Sequence, residues 1–286
     1  WSVYRHGASV TRNLLAASLL AVFAWGMIEL TGNLLQWVAL SIAGYVTVSW
    51  LQGLSTRDKA SFRMMFHSKA LVFTTLAFPT IAFVSYGTSF WTAPFLIRVH
   101  GVTAADVGWY VGIGNAIGGL IGVVMGGMLA DRMKLYFVNG RLMIGIVTIL
   151  LTAPLILWMV KTEDLMTAYW LNFAYHIPAS MWVSIAPATV NDLVMPRMRA
   201  TAGAWFLLMN TIIGLALGPY AMGRLSDMFI AGGADSGAAL SQAIAWGQCI
   251  FILTAILLAL AMRYLPDDEA SRLDRARALG ESFDQK

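Results

Sequence analysis

The sequence predicts an all-α protein that crosses a membrane several times. Of its 286 residues, 58% are hydrophobic and only 12% are charged, whereas soluble domains are about 45–50% apolar and about 25% charged. The mean hydropathy is +0.69. Apolar runs of about 20 residues, the length that a helix needs to cross the hydrocarbon core, recur along the chain. Lipid is therefore the expected solvent for most of the protein surface.

Eight apolar segments reach this length. Segment ends read from a sequence carry an error of about 2 to 4 residues. For the first two segments a re-entrant or interfacial hairpin is the alternative, because "ELTGN" leaves almost no loop between them. The eight predicted spans are residues 14–31, 34–53, 70–96, 106–130, 142–160, 165–190, 201–229 and 240–262.

The connection between the second and third spans, "STRDKASFRMMFHSK", mixes charged and apolar side chains. Its apolar residues Phe62, Met64, Met65 and Phe66 follow a helical spacing. This pattern favours an amphipathic helix that lies on the inner leaflet. A plain polar linker is the alternative.

The basic residues collect on alternate connections between the predicted spans, with 16 of the 19 on one side. Only Arg98, Lys161 and Arg224 fall on the other side. Because short cytoplasmic loops collect Lys and Arg, we expect both termini in the cytoplasm and a multi-pass protein of a bacterial inner membrane. The 16 residues are Arg5, Arg12, Arg57, Lys59, Arg63, Lys69, Arg132, Lys134, Arg141, Arg197, Arg199, Arg263, Arg272, Arg275, Arg277 and Lys286.

The reactive side chains argue against an enzyme or a metal site. A single cysteine, Cys249, excludes an intramolecular disulfide framework and a Cys-Cys metal site. The four histidines, His6, His67, His100 and His176, have no metal-ligand spacing. The sequence also has no Ser-His, His-Asp or Glu-x-x-His arrangement. We therefore expect no catalytic residues, no metal, no cofactor and no nucleic-acid partner.

Glycines mark the fourth span, "GWYVGIGNAIGGLIGVVMGGMLADR". Gly114, Gly118, Gly122 and Gly126 form three consecutive G-x-x-x-G steps. Small residues at this spacing let helix backbones approach one another closely in lipid. The G-x-G-x-x-G spacing of a nucleotide-binding loop is absent. The strip is therefore predicted to be a helix-packing surface, either a fixed seam or a sliding contact.

The end of this stretch, "GGMLADRMK", resembles the loop motif of the major facilitator superfamily, Gly-x-Leu-Ala-Asp-Arg followed by basic residues. In that superfamily the motif joins the second and third helices of each six-helix half. The tail of the motif departs here, because Lys134 stands where glycine is usual and the next basic residue is Arg141. The matching residues are Gly127, Leu129, Ala130, Asp131 and Arg132.

The resemblance implies a conformational latch at Gly127, Asp131 and Arg132. In the superfamily this carboxylate meets the start of a helix in the opposite half, where the helix dipole favours an anion. The alternative is an ordinary loop salt bridge between Asp131 and a nearby Arg, worth at most about 1 kcal/mol when it is exposed.

A second stretch, "RATAGAWFLLMNTIIGLALGPYAMGRLSD", resembles the eleventh helix of the superfamily, and most closely its spinster-like branch, which is associated with lysolipids and related amphiphiles. The resemblance covers residues 70–263 and implies that they form the carboxy-terminal six-helix half-bundle, helices seven to twelve. Residues 1–69 then form an amino-terminal or inserted hairpin plus the amphipathic cytoplasmic linker, and residues 264–286 a cytoplasmic tail. The hairpin corresponds either to helices five and six or to an inserted central pair. The matching residues are Arg199, Ala200, Ala202, Gly203, Asn210, Gly214, Gly218, Pro219, Gly223, Ser226 and Asp227.

Polar side chains at mid-depth in the predicted helices are the candidate substrate ligands, because such groups are costly in lipid and usually face a cavity or a partner. At about 1.5 Å per residue, Tyr86, Asn115, His176 and Asn210 lie near the middle of their spans. The resemblance implies that these four helices contribute to a central cavity. The complete candidate set is Tyr86, Trp91, Asn115, Asn172, His176 and Asn210.

Several candidates have a structural alternative. Asn115 and Asn210 are also suited to hydrogen bonding across helices, which contributes about 0.6 to 2 kcal/mol. For His176 the alternative is a fixed structural histidine. For Trp91 and Trp182 the default position of a large aromatic side chain is one that faces lipid.

These patterns together predict part of a secondary active transporter that moves a small amphiphilic or lipophilic organic solute by alternating access. The missing partner is the amino-terminal half of the same transporter, since the chain opens without Met and is expected to be a piece of a longer gene product. The coupling ion is H+ or Na+. A non-transporting membrane assembly module and a channel are the alternatives, although neither a ring of carboxylates nor a filter-like loop occurs in the sequence.

Overall fold

The computed structural model describes residues 10–280, of which 89% are helical and none is in a strand. Predictions that concern Arg5, His6 and Lys286 lie outside the described residues. The chain divides into two compact units, the first containing residues 10–67 and 273–280 and the second containing residues 68–272. The two units are described separately below.

The first unit contains two long helices, α1 (Val10–Thr31) and α2 (Leu34–Arg57). Each helix is long and apolar enough to cross a membrane. Gly32, with a φ of +72°, makes the tight turn between them. At the start of α2 the Asn33 side chain accepts a hydrogen bond from the Gln36 N–H at 3.4 Å, which satisfies one of the free donors of a helix N-terminus. The predicted hairpin therefore consists of two full-length helices.

The amphipathic segment forms a short helix, α3 (Lys59–His67), which follows Asp58. The Asp58 carboxylate accepts a hydrogen bond from the Ser61 N–H at 3.0 Å. A last helix, α13 (Arg272–Ala278), falls in the same unit from Leu273 onward. The two faces of α3 differ sharply, with Ser61, Met64 and Met65 buried and Lys59, Arg63 and His67 exposed.

The second unit contains nine α-helices. Side-chain caps begin several of them, and Asp164, for example, accepts the Thr167 N–H at 2.7 Å. These helices pack against one another and form a mainly apolar interior. They are α4 (Lys69–His100), α5 (Ala104–Lys134), α6 (Gly140–Met159), α7 (Leu165–Ser180), α8 (Trp182–Asp192), α9 (Arg199–Met209), α10 (Leu217–Ala231), α11 (Ser236–Gly247) and α12 (Ile250–Ala270).

Seven helical stretches in residues 10–280 are long and apolar enough to cross a membrane, so the chain is a polytopic helical membrane protein. The sixth predicted span, residues 165–190, is not among these seven, because it is divided at Met181 into α7 and α8, of 16 and 11 residues. The Met181 N–H bonds to the Pro178 carbonyl at 3.1 Å, which tightens the turn. Pro178 lies within α7, three residues before this turn.

The predicted helix over residues 201–229 is also irregular, because α9 and α10 are joined by a π-helix over Asn210–Ala216. Pro219 lies just beyond it and its ring would clash with the carbonyl of residue 215 in a regular helix. The wider turn of a π-helix relieves this clash. Such segments are rare and often occur at functional sites.

The predicted glycine strip packs α5 against α7. A Cβ at Gly118 would lie 2.9 Å from the Phe173 carbonyl oxygen, and one at Gly122 would lie 2.1 Å from that of Ile177. At Gly126 the same atom would lie 2.6 Å from the backbone of Met181. Glycines at four-residue spacing thus meet residues at the same spacing along α7 and in the turn that follows it. The contact is looser at Gly114, at the other end of the strip, where an added Cβ would lie 3.7 Å from the Asn172 amide nitrogen.

Candidate substrate site and charge network

A small cavity lies in the second unit between α4, α7 and the start of α8. Its volume is about 120 Å³. Hydroxyl, imidazole and aromatic side chains line it, together with Ala179 and Val183. We call it the α4–α7 cavity, and its lining residues are Ser85, Tyr86, Ser89, Tyr175, His176, Ala179, Ser180, Trp182 and Val183.

The break at Met181 shapes one wall of this cavity. Because α8 begins directly after the break, Trp182 faces the cavity and is only 4% exposed. Its ring meets that of Tyr86 edge to face, with centroids 6.2 Å apart. A lipid-facing position was expected for Trp182, and the turn at the end of α7 accounts for the difference.

His176 lines the cavity and meets the backbone through one of its ring nitrogens. Its Nδ1 lies 2.9 Å from the Asn172 carbonyl oxygen. A carbonyl oxygen only accepts, so Nδ1 carries the proton, and in the neutral imidazole Nε2 is left as an acceptor. His176 is 8% exposed, so this tautomer and ring orientation are fixed by packing as well as by the hydrogen bond.

Asn172 and Asn115 form a hydrogen bond between α7 and α5. The Asn172 amide nitrogen donates to the Asn115 side-chain oxygen at 2.8 Å. Asn172 is 1% exposed, and its own side-chain oxygen has no partner among residues 10–280. The two asparagines thus connect the glycine seam to the helix turn that holds His176, and neither is among the residues that line the α4–α7 cavity.

Trp91 and Asn210, the other two predicted ligands, lie away from this cavity. The Trp91 indole N–H donates to the Pro219 carbonyl at 2.7 Å, and its ring packs where Gly223 leaves room, 2.5 Å from an added Cβ. Trp91 therefore anchors α4 to α10. Asn210 begins the π-helix and is 8% exposed, and its side-chain oxygen has no partner within the described range.

Five polar or aromatic lining residues were not among the predicted ligands. Ser85 and Ser89 are one helix turn apart on α4, beside Tyr86. Two hydroxyls at i and i+4 share one face of a helix, and in this apolar helix they are the sequence signal for the α4 wall of the cavity. The Tyr175 hydroxyl lies 3.3 Å from that of Thr92. The five residues are Ser85, Ser89, Tyr175, Ser180 and Trp182.

A charge network joins the ends of α5, α8 and α12 to the start of α6. The Arg141 guanidinium donates to one Asp131 oxygen at 2.7 and 3.1 Å and also pairs with Asp192. Lys134 pairs with the same Asp192 oxygen and, at 3.0 Å, with Glu269. Asp192 is therefore the shared acceptor of two cations. The sequence did not single it out, since one Asp at a helix end carries no motif.

The three predicted latch residues differ in their surroundings. Asp131 forms the salt bridge with Arg141 that was the alternative to a latch, and its side chain is 67% exposed. Arg132 is exposed. Gly127 packs against Ser184 of α8, with 3.5 Å between an added Cβ and the serine side chain. Arg141 donates to only one of the two oxygens of the exposed Asp131 carboxylate.

A second link at this end of the unit ties α12 to the first turn of α4. One Asp268 oxygen accepts hydrogen bonds from the Ser68 hydroxyl and from the Ala70 N–H, both at 2.8 Å. A carboxylate here satisfies a free backbone donor and complements the positive end of the helix dipole. The contact fixes where α4 begins, although its two partners are 200 residues apart in sequence.

Comparisons with known proteins point to one group of transporters. The chain is 31% identical over 150 residues to an MFS-type efflux pump of Mycolicibacterium smegmatis, a match that covers 51% of this chain and 34% of that protein. It is 28% identical over 214 residues to Protein spinster homolog 3 of Homo sapiens, covering 66% of this chain and 42% of that protein. The chain thus spans less than half the length of these curated relatives. No family model matches the chain.

Two solved structures of a bacterial homolog of the human lysosomal transporter Spinster have the same fold. The inward-facing, unoccupied conformation matches with a TM-score of 0.57 at 23% identity, covering 92% of this chain and 66% of that one. The inward-facing, occupied conformation matches with a TM-score of 0.56 at 23% identity, covering 84% and 58%. The resemblance predicted from the two motifs is confirmed: the chain is a homologue of major facilitator superfamily transporters, with an efflux pump and spinster proteins among its relatives, and it has their fold.

Proposed function

We propose that this chain is part of a secondary active transporter that moves a small amphiphilic or lipophilic organic solute by alternating access. The observation that carries the proposal is the α4–α7 cavity, which brings hydroxyl, imidazole and aromatic side chains of α4, α7 and α8 together in a chain with a transporter-like fold. Polar groups at such depth are costly unless they serve a ligand, a partner or water. Homology to an efflux pump and to spinster proteins supports transport as the activity.

The size of the cavity limits what this chain contributes. A volume of about 120 Å³ falls below the 300–1,000 Å³ of typical small-molecule pockets. It suits a few water molecules or the polar end of a larger solute. In the proposal the rest of the solute is held by apolar surface that the amino-terminal half of the transporter supplies.

The lining residues divide the recognition between polar and apolar groups. The Tyr86 and Ser89 hydroxyls can each donate and accept, and the second His176 nitrogen offers an acceptor. The Ser85 hydroxyl donates to the Ala179 carbonyl at 3.2 Å and can still accept. The Trp182 ring closes the cavity with an apolar, polarisable face. No carboxylate is among the lining residues, so the group that couples transport to H+ or Na+ is assigned to the other half.

The charge network is proposed to stabilise one conformation at the cytoplasmic end, in a bacterial inner membrane with both termini of the chain inside. Residues 70–263 then correspond to helices seven to twelve. Asp131, with its exposed carboxylate, is the group that a helix of the opposite half would reach. The pair with Arg141 holds that carboxylate in position.

Counterflow in proteoliposomes tests the proposed function. Proteoliposomes that contain the complete transporter would be loaded with ethidium in one preparation and with a lysophospholipid in another. Uptake of the same compound in labelled form from the outside is then measured. Tyr86→Phe removes only the hydroxyl, and the loss of one neutral hydrogen bond, about 1 kcal/mol, predicts an apparent affinity about five-fold weaker. Tyr136→Phe, on a side chain that is 71% exposed, is the matched control and should transport normally.

Two results would contradict the proposal. One is the absence of counterflow with either probe by a protein that is folded and correctly oriented. The other is transport by Tyr86→Phe, Ser89→Ala and His176→Gln that matches the unsubstituted protein in both rate and affinity, which would place the solute elsewhere.

A further inference from the structure

A groove runs along one face of α2 in the first unit. Its volume is about 440 Å³, within the range of small-molecule sites. Most of its lining is apolar, and Gly53 leaves space in it, because nothing lies within 4 Å of a Cβ added there. We call this space the α2 groove, and its lining residues are Tyr45, Val46, Ser49, Trp50, Gly53, Leu54 and Arg57.

The α2 groove extends from the interior of the membrane to one of its surfaces. Arg57 is the first charged residue of α2 and stands at its last position. The 24 residues of α2 are about 36 Å long and the hydrocarbon core is about 30 Å thick, so Arg57 reaches the level of the headgroups. Tyr45 precedes Arg57 by 12 positions, or about 18 Å of helix. The groove therefore covers the depth of one leaflet, with an arginine at its headgroup end.

The residues that follow Arg57 add positive charge at this surface. Lys59 and Arg63 of α3 are exposed and one helix turn apart, so they share a face of the helix. Neither forms an ion pair with a carboxylate of residues 10–280. The carboxylate of Asp58 accepts both the N–H and the hydroxyl of Ser61, which is buried. The one acidic group of this stretch is thus committed to the start of α3, and the exposed surface is basic.

An aromatic pair lies beside this basic face of α3. Phe62 and Phe66 are half-buried, and their ring centroids lie 4.9 Å apart. At 3.6 residues per turn, Phe66 and Lys59 point only about 20° apart around the helix axis. The opposite face, with Met64 and Met65, is buried in the protein. The outward face of α3 therefore combines aromatic and basic side chains, the pattern of a helix at the boundary between acyl chains and headgroups.

We propose that the first unit binds an anionic phospholipid, with an acyl chain in the α2 groove and the phosphate against Arg57 and Lys59. Arg63 extends the basic surface along α3. The lipid is anionic because the headgroup end of the groove is basic, and a zwitterionic headgroup would bring a cation of its own to the same surface. This site is separate from the α4–α7 cavity and does not depend on its role in transport.

Photolabelling of the full chain in lipid nanodiscs tests this site directly. The two probes are a phosphatidylglycerol and a phosphatidylcholine that carry the same diazirine on the same acyl chain. Each is added in trace amount to a phosphatidylcholine bilayer, and the modified residues are located by mass spectrometry. Insertion is expected at groove residues such as Ser49, Trp50 and Leu54. It should favour phosphatidylglycerol by more than about five-fold, because each Lys or Arg near an anionic headgroup contributes about 1 kcal/mol.

Substitutions assign this preference to the basic surface and the insertion to the groove. Lys59→Gln should lower phosphatidylglycerol labelling about five-fold and leave phosphatidylcholine labelling unchanged, and Arg63→Gln should act in the same direction. Lys161→Gln is the matched control, because Lys161 is an exposed lysine between α6 and α7, and it should keep the preference. Gly53→Leu fills the groove and should lower labelling by both probes. Its control is Gly26→Leu on α1, where an added Cβ also meets nothing within 4 Å.

Three outcomes would overturn the proposal. Equal labelling by the two probes in the unsubstituted protein would show that the basic surface does not select the headgroup. A preference that survives both Lys59→Gln and Arg63→Gln at full size would place the phosphate elsewhere. No labelling of the α2 groove by either probe would mean that protein, and not lipid, covers this face of α2.

Discussion

Gly122 of α5 lies so close to Ile177 of α7 that a Cβ on the glycine would stand 2.1 Å from the Ile177 carbonyl oxygen. No side-chain rearrangement relieves this contact, because the opposing atom belongs to the backbone. The two helices can approach in this way only while the position has no side chain. In lipid, where apolar burial does not drive helices together, such close backbone packing is a main source of association.

Gly122→Ala is therefore expected to destabilise the second unit. Overpacking of this kind costs about 1–3 kcal/mol, and the melting temperature in detergent should fall accordingly. Gly108→Ala is the control on the same helix, since nothing lies within 4 Å of a Cβ there, and it should leave the melting temperature unchanged or raise it. Equal effects of the two changes would contradict the packing argument. Normal melting of Gly122→Ala with impaired transport would indicate a sliding contact instead of a fixed seam.

The sequence could predict this seam only in part. Spacing identifies a smooth strip along α5, but it does not say which helix meets it. The partner helix depends on the path of the α7 backbone. Phe173, Ile177 and Met181, which follows the end of α7, meet the strip at matching four-residue intervals. Similarly, counting residues along a helix gives the depth of a side chain in the membrane, but not the direction in which it points around the helix axis. Asn115 and Asn210 lie at the predicted depth, and neither is among the residues that line the cavity.

Helix interruptions were the other feature that the sequence did not predict. Pro178 and Pro219 were visible, but proline is tolerated within membrane helices when neighbours satisfy the freed backbone groups. Whether a helix continues, breaks or widens at a proline depends on its packing. The break at Met181 brings Trp182 to the cavity, and the π-helix begins at Asn210. Each irregularity lies near a predicted polar ligand, the break near His176 and the π-helix at Asn210. Apolar periodicity alone predicts regular helix in both segments.

Asp192→Asn is expected to weaken the charge network more than Asp131→Asn. The Asp192 carboxylate receives both Lys134 and Arg141 and its side chain is 28% exposed, whereas that of Asp131 is 67% exposed. Hydrogen bonds to charged groups contribute about 1.5–3 kcal/mol, and exposed ion pairs about 0–1 kcal/mol. Thermal unfolding of the two variants at low and high salt measures the difference. An equal or larger loss for Asp131→Asn would contradict this order.

Asp268→Ala is expected to loosen the start of α4. The substitution removes the acceptor of the Ser68 hydroxyl and the Ala70 N–H, and loss of a helix cap costs about 0.5–2 kcal/mol. Hydrogen exchange of the first amides of α4 should accelerate while amides in the middle of the helix keep their protection. Asp267→Ala, at the exposed neighbouring carboxylate, is the control. Faster exchange in that variant as well would mean that charge alone, and not the cap, protects the helix start.

The hydrogen bond between Asn115 and Asn172 distinguishes a packing role from a substrate role for two of the predicted ligands. Its length of 2.8 Å and the position of both residues outside the cavity lining favour packing. The variants Asn115→Leu, Asn172→Leu and the double variant form a cycle in which the coupling free energy should be about 0.6–2 kcal/mol. The double variant should then keep the substrate affinity of the complete transporter. A coupling near zero, with weaker substrate binding in each single variant, would instead assign the asparagines to the solute and enlarge the site beyond the walls that Tyr86 and His176 form.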